Sequence, residues 1–160
     1  MNTGQTMLSI CAFLLLSILI LRVNNSFLST DTLVQETKFD VLATSLATSY
    51  IEEATRKRFD EVSIIPINDS TLFSYPLGLE AGELHSDCND FDDYNGLDTL
   101  ITDLPSATFR VQCKVAYINP NNPDVNVNYK TWNKKLTVSV SSPFSNDTIK
   151  VCSIFSYFNF

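Results

Sequence analysis

The chain has 160 residues and a formal net charge of -7, with 44% apolar and 11% aromatic residues. That composition excludes a disordered chain, and the acidic balance, with a pI near 4.5, excludes a general nucleic-acid binder. Four glycines without a phosphate loop exclude a nucleotide-binding enzyme, and one histidine, His85, leaves little for a Ser-His-Asp arrangement.

The charges are zoned. None precedes Arg22, residues 61–105 carry ten acids and no Lys or Arg, and residues 106–160 carry two acids against six bases. Met7–Leu21 reads MLSICAFLLLSILIL, and residues 5–23 form an uncharged stretch. As a helix it covers roughly 28 Å at ~1.5 Å per residue, enough to cross a bilayer core. We expect a transmembrane segment here. A cleaved signal peptide is the alternative, although Met1–Gly4 lacks a basic residue and Arg22–Ser26 lacks a small-x-small cleavage site.

No Gly or Pro occurs from Gln5 to Ile65. Phe39, Leu42, Leu46, Tyr50 and Ala54 recur at spacings of three or four, which predicts an amphipathic helix continuing over 24–60. Glu52 and Glu53 precede Arg56 and Lys57 by four residues, the favourable order for ion pairs on a helix. Asn24-Asn25-Ser26 and Asp31-Thr32 are the points where this helix is expected to bend or restart.

Pro66, Pro76 and Gly78 end the helical pattern. Residues 61–105 predict a long acidic loop region with a short strand near Leu72–Tyr75. From Ala107 the period becomes two. Phe109, Val111, Cys113, Val115 and Tyr117 alternate with polar residues, as do Leu136, Val138 and Val140. Residues 148–158 predict a third strand, with Asn119–Asp124 and Ser142–Asp147 as turns. The expected fold class is α+β. A long helix, transmembrane in its first half, packs its amphipathic second half on a three-stranded antiparallel head spanning 106–160.

Read along the chain, this arrangement resembles the type IV pilin-like proteins, including pseudopilins and minor pilins of the mannose-sensitive haemagglutinin type. Three pieces carry the resemblance. Gly4-Gln5-Thr6-Met7-Leu8-Ser9 opens an apolar helix in the manner of a prepilin peptidase site. Leu46–Glu53 followed by Phe59-Asp60-Glu61 is similar to the end of many pseudopilin helices. Asp90–Gly96, the strand Phe109–Ile118, Asn119-Pro120 and the strand Lys134–Ser141 look like a minor-pilin head. The departures are Gln5 where Phe or Met is commoner, Ser9 where the family usually has Glu, and no Lys or Arg before Gly4.

The resemblance implies a leader of residues 1–4, cleaved between Gly4 and Gln5, and an assembly face at Ser9, Ala12, Leu16 and Leu19. It implies a minor or accessory subunit of a pilus-like or type II secretion-like filament, and not an enzyme. Its partners would be other pilin-like subunits, a prepilin peptidase and the assembly machinery. It would sit in the bacterial inner membrane by a single pass, with the head periplasmic or extracellular. The alternative is a single-pass periplasmic binding or adaptor protein that does not polymerise.

Two site candidates remain in the head. The acidic run Glu80, Glu83, Asp87, Asp90, Asp92, Asp93 and Asp98 suits Ca²⁺ in ligand chemistry, and Asp87, Asp90, Asp92 and Asp93 are the expected ligands. The competing expectation is a solvated loop, or ion pairs to Arg110, Lys114, Lys134 and Lys135 on the polar face of the sheet. Cys88, Cys113 and Cys152 offer Cys88–Cys113 or Cys113–Cys152 as disulfides in an oxidising compartment, or three reduced thiols. No cofactor other than Ca²⁺ is expected. His85 beside Ser86 and Asp87 is read as a polar loop, and the sequons at Asn24, Asn68 and Asn146 as chance.

Overall fold

The computed structural model describes residues 2–104, 107–143, 145 and 147–158. The chain divides into two units, Met1–Lys38 and Phe39–Phe160. One helix, α1 (Thr3–Thr55), supplies residues 3–38 of the first unit and the beginning of the second.

In the first unit, the described residues are exposed except for a half-buried Thr6. Its N-terminal part is long and apolar enough to cross a membrane, and none of that stretch is buried within the chain. The helix does not restart at Asn24–Ser26 or Asp31-Thr32. The polar side chains there find partners inside the helix: Thr30 Oγ1 donates to Ser26 O at 2.8 Å, Thr32 Oγ1 to Ser29 O at 2.9 Å, and Gln35 Nε2 to Asp31 Oδ2 at 3.3 Å. Thr30 and Thr32 thus bond back to carbonyls of the preceding turn, as Ser and Thr do inside helices, and the helix runs on through them.

The second unit is a small antiparallel sheet with the end of α1 packed on it. The expected stripe Phe39, Leu42, Leu46, Tyr50 and Ala54 faces the sheet. Ala43, Ala47 and Ala54 on the same side of the helix are buried with it. Phe39 meets Phe109 edge-on, with ring centroids 6.5 Å apart.

The helix ends at Thr55, five residues before the expected 60. Arg56 and Lys57 make one tight turn through bonds from their N–H groups to Glu53 O and Ala54 O. Phe59 and Asp60 then turn inward and are fully buried, so burial of these two side chains outweighs continued helix. Asp60 is extended and caps the 3-10 turn Glu61–Ile64 in a reciprocal box with Ser63.

Among the described residues five strands form the sheet: β1 (Asp98–Ile101), β2 (Phe109–Asn119), β3 (Asn122–Val127), β4 (Asn133–Ser141) and β5 (Thr148–Ser156). The order is β1-β2-β4-β5, and β3 also pairs with β2. The predicted meander β2-β4-β5 is present, with Cys113 opposite Val138 and Val138 opposite Val151. The two strands the sequence pattern did not reveal share the other edge of β2. β1 pairs with Phe109–Gln112 and β3 with Tyr117–Asn119. Asn119–Asp124 is thus a hairpin whose second half is already strand.

No strand forms at Leu72–Tyr75: Ser70–Leu72 is a 3-10 turn capped by Asp69. Between β1 and β3, the free edge of β2 is met by a loop. Gly96 N–H donates to Cys113 O, Cys113 N–H to Leu97 O, and Val115 N–H to Asn95 Oδ1 at 3.0 Å. Asn95 Nδ2 also holds Leu77 O at 2.9 Å, which ties both arms of the acidic loop to the sheet. The expected boundary at Pro105 and Ser106, and the turn residues Phe144 and Asn146, lie outside the described residues.

Candidate functional site

The inner face of β4 carries an unexpected residue. Lys134 is in phase with Leu136, Val138 and Val140, and like them is fully buried. It does not lie on the polar face, where it was expected. All three ammonium protons have acceptors: Phe59 O at 2.7 Å, Asp60 Oδ2 at 2.8 Å and Asp92 Oδ1 at 2.5 Å. The ammonium also lies 4.5 Å from the Phe59 ring centroid. Asp60 is further held by Ser74 N–H at 2.9 Å and Ser74 Oγ at 3.0 Å. One ion-pair cluster therefore joins the chain just past α1, the sheet and the acidic loop.

Beside it lies a second acidic group. The sequence Asn89-Asp90-Phe91-Asp92-Asp93 folds into a turn in which two aspartates cap each other. Asp90 Oδ1 accepts from Asp92 N–H at 2.9 Å and Asp93 N–H at 3.3 Å. Asp93 Oδ2 accepts from Asn89 N–H at 2.8 Å and Asp90 N–H at 3.1 Å. This reciprocal arrangement uses one oxygen of each carboxylate. The other two, Asp90 Oδ2 and Asp93 Oδ1, are buried without a partner, as is Glu80 Oε2. Glu80, Asp90 and Asp93 each bring a carboxylate oxygen within 4.8 Å of the other two.

Burial pushes the Asp90 carboxyl up to about 8, with the charges of Asp92 and Asp93 adding to it. Burial pushes Glu80 up to about 7, reinforced by its hydrogen bond with Glu83. Asp92 is also raised, by burial first, against the pull of Lys134. Such shifts report carboxylates short of counter-charge. A buried polar atom without a partner calls for an explanation, an ion or a water among them.

The loop is pinned from outside as well. Phe91 N–H donates to Arg58 O at 2.8 Å, and Arg58 Nη2 reaches Asn89 Oδ1 at 2.8 Å. Tyr94 OH donates to Glu53 Oε1 at 2.9 Å, back on α1.

Of the four expected ligands, the structure brings Asp90 and Asp93 together. Asp92 is turned to Lys134, and Asp87 is exposed in the 3-10 turn His85–Asp87. Glu80 takes the third place, brought there by the loop from the far end of the acidic run. The competing expectation of ion pairs holds at Asp98, which takes Arg110 at 2.8 and 2.6 Å. Exposed His85 lies in the same turn as Asp87, as expected of a polar loop.

All four cysteines are free thiols. Cys113–Cys152 is ruled out by strand parity: Cys113 points into the core and Cys152 to the outer face of β5. Cys88 is not bonded to Cys113 and instead donates to His85 O at 3.2 Å. Burial pushes the Cys88 thiol up to about 11 and the Cys113 thiol up to about 12, so both are poor nucleophiles. Gly4 and Gln5 lie in the first turn of α1, and Ser9, Ala12, Leu16 and Leu19 are exposed along it.

No protein-family model, curated protein or solved structure matches this chain.

Proposed function

We propose that this chain is a membrane-anchored structural subunit of a pilin-like filament, assembling through its N-terminal helix. The observation that supports the reading best is an apolar row that outlasts the membrane. Phe13, Ile20, Phe27 and Val34 follow one another at intervals of seven and are 69%, 52%, 71% and 58% exposed. A bilayer needs about 20 residues of helix. If residues 5–23 fill it, Phe27, Leu28, Leu33 and Val34 stand in water on the uninterrupted α1. A simple anchor has no use for such a ridge, whereas helices packed along one another beyond the membrane would bury it. Ser9, Ala12, Leu16 and Leu19 lie beside this row and would join the same contact, with small residues permitting close approach. Ser9 donates to Gln5 O at 3.0 Å, so a serine here carries no unmet hydrogen bond.

Cleavage and assembly test the reading. With a prepilin peptidase co-expressed, the mature chain is expected to begin at Gln5, and Gly4→Leu to block that change in mobility. Cysteine placed at Phe27 is expected to give oxidative dimers in membranes and to appear in sheared filaments. A chain that keeps Met1 and forms no dimers through position 27 would be the non-polymerising anchored adaptor instead.

A further inference from the structure

We propose that Glu80, Asp90 and Asp93 form a binding site for one divalent cation of the Ca²⁺ class. The inference stands apart from the assembly reading and rests on the head alone.

Three observations carry it. Oxygens from the three carboxylates lie within 4.8 Å of one another. Three oxygens that close can share one ion at the ~2.3–2.6 Å of Ca²⁺–oxygen contacts. Mg²⁺ demands near-ideal octahedral geometry and keeps several of its waters, which suits an irregular all-protein cluster less well. Second, Asp90 and Asp93 are fully buried, yet each has an oxygen without a hydrogen-bond donor. Their other oxygens are fixed by backbone N–H groups, so the side chains cannot turn to satisfy both.

Third, the local cation is already committed. Lys134 spends its three protons on Phe59 O, Asp60 and Asp92. Among the described residues, four carboxylates, Asp60, Asp90, Asp92 and Asp93, are fully buried against this one fully buried base, which pairs with only Asp60 and Asp92. Carboxylates alone make a hard, oxygen-only ligand set, which suits Ca²⁺ and not a softer metal. Water would complete the six to eight ligands that Ca²⁺ takes. Glu80 comes from the first arm of the acidic loop and Asp90 and Asp93 from the second, so the ion would clamp the two arms together.

The test uses the full chain in detergent micelles, stripped with a chelator and then titrated with CaCl₂. Calorimetry is expected to show one saturable site per chain, and thermal unfolding followed by Trp132 fluorescence a Tm that rises to a plateau. MgCl₂ at equal concentration is expected to raise it less. Glu80→Gln and Asp93→Asn are each expected to weaken the apparent affinity at least tenfold, while Asp98→Asn leaves it unchanged. No saturable heat and no Tm shift in the wild-type chain up to about 10 mM Ca²⁺, beyond the ~10⁻³ M of weak extracellular sites, would overturn the proposal. So would a full response in folded Glu80→Gln. Terbium luminescence lifetimes in H₂O and D₂O give a readout on the wild-type chain that needs no variant: an ion with most of its water displaced is expected, and a fully hydrated ion refutes the site.

Discussion

Replacing Lys134 with Met is the sharpest test of the head. Met keeps the length and the apolar stem but removes the ammonium. Asp92 then loses its donor at Oδ1, and its Oδ2 already has none, so the whole carboxylate is stranded. Asp60 keeps Ser74 N–H and Oγ, and Phe59 O loses its bond to Lys134. Breaking a fully buried ion pair from one side costs about 3–5 kcal/mol. At 0.05–0.15 kcal/mol per residue a head of this size has roughly 6–18 kcal/mol in total, so the variant is expected to fold but to melt some 10–20 °C lower. Removing both charges should cost less than the sum of the single changes. In Lys134→Met/Asp92→Asn the stranded charge is gone, and a coupling of about 1–3 kcal/mol is expected. Urea unfolding of the full chain in micelles reads all four corners of the cycle. Trp132 is a suitable probe, since it packs 5.3 Å from Phe73 and 5.4 Å from Tyr157 within the same aromatic core. A loss below about 1 kcal/mol for Lys134→Met, or strict additivity in the double variant, would show that this buried cation does not hold the loop to the sheet.

Two further outcomes follow from the same geometry. Ala47 is fully buried between α1 and the sheet, so Ala47→Leu is expected to cost about 1–3 kcal/mol by overpacking, while Thr48→Leu on the exposed side stays within about 0.5 kcal/mol; equal losses would say that the helix does not approach there. The hydrogen bonds of Arg110, and then of Gln112, hold the Asp98 carboxyl down at about 2. A depressed folded value contributes stability above the unfolded value near 3.9 and loses it as pH falls. The stability difference between wild type and Asp98→Asn is therefore expected to be constant above about pH 5 and to vanish between about pH 4 and pH 2, a window read by urea titrations at each pH.

Periodicity revealed the elements whose burial is one-sided. The stripe Phe39–Ala54 and the alternation in β2 and β4 were legible because each has one wet face and one dry face. β3 was not, since five of its six residues are exposed and the sixth is half-buried, so no pattern marks it. β1 is four residues with no fully buried position, formed because β2 has a free edge to fill. Ala43 and Ala47 carry no signal for another reason: alanine suits either environment, and only the fold shows that these two are buried. Lys134 was the more instructive omission. It shares the parity of Leu136, Val138 and Val140, although its charge alone points to the polar face. A lysine in phase with a buried stripe implies buried acids to meet it; Asp92 lies within the acidic run, and Asp60 stands just before the zone 61–105.

The site depends on this same lysine without containing it. Asp92 is drawn to Lys134, while Asp90 and Asp93 on either side of it each bring an oxygen close to Glu80. The cap bonds between Asp90 and Asp93 then fix which oxygens remain free. The sequence run Asp90-Phe91-Asp92-Asp93 thus sorts into two jobs by geometry: one aspartate closes the core beneath the end of α1, and two face the outer arm of the loop. Phe91 between them is fully buried and packs 5.1 Å from Phe155 on β5, which holds the turn in the orientation that separates these jobs. The charge in the zone 61–105 is therefore only in part a solvated surface feature: Asp69, Asp87, Asp98 and Asp103 are exposed, but Asp90, Asp92 and Asp93 are fully buried. Its central part is folded inward, anchored by Asn95 to the sheet and by Arg58 to the chain leaving α1. A change at either anchor is expected to reach the acidic site through the backbone N–H groups of residues 89–93, which fix the carboxylates.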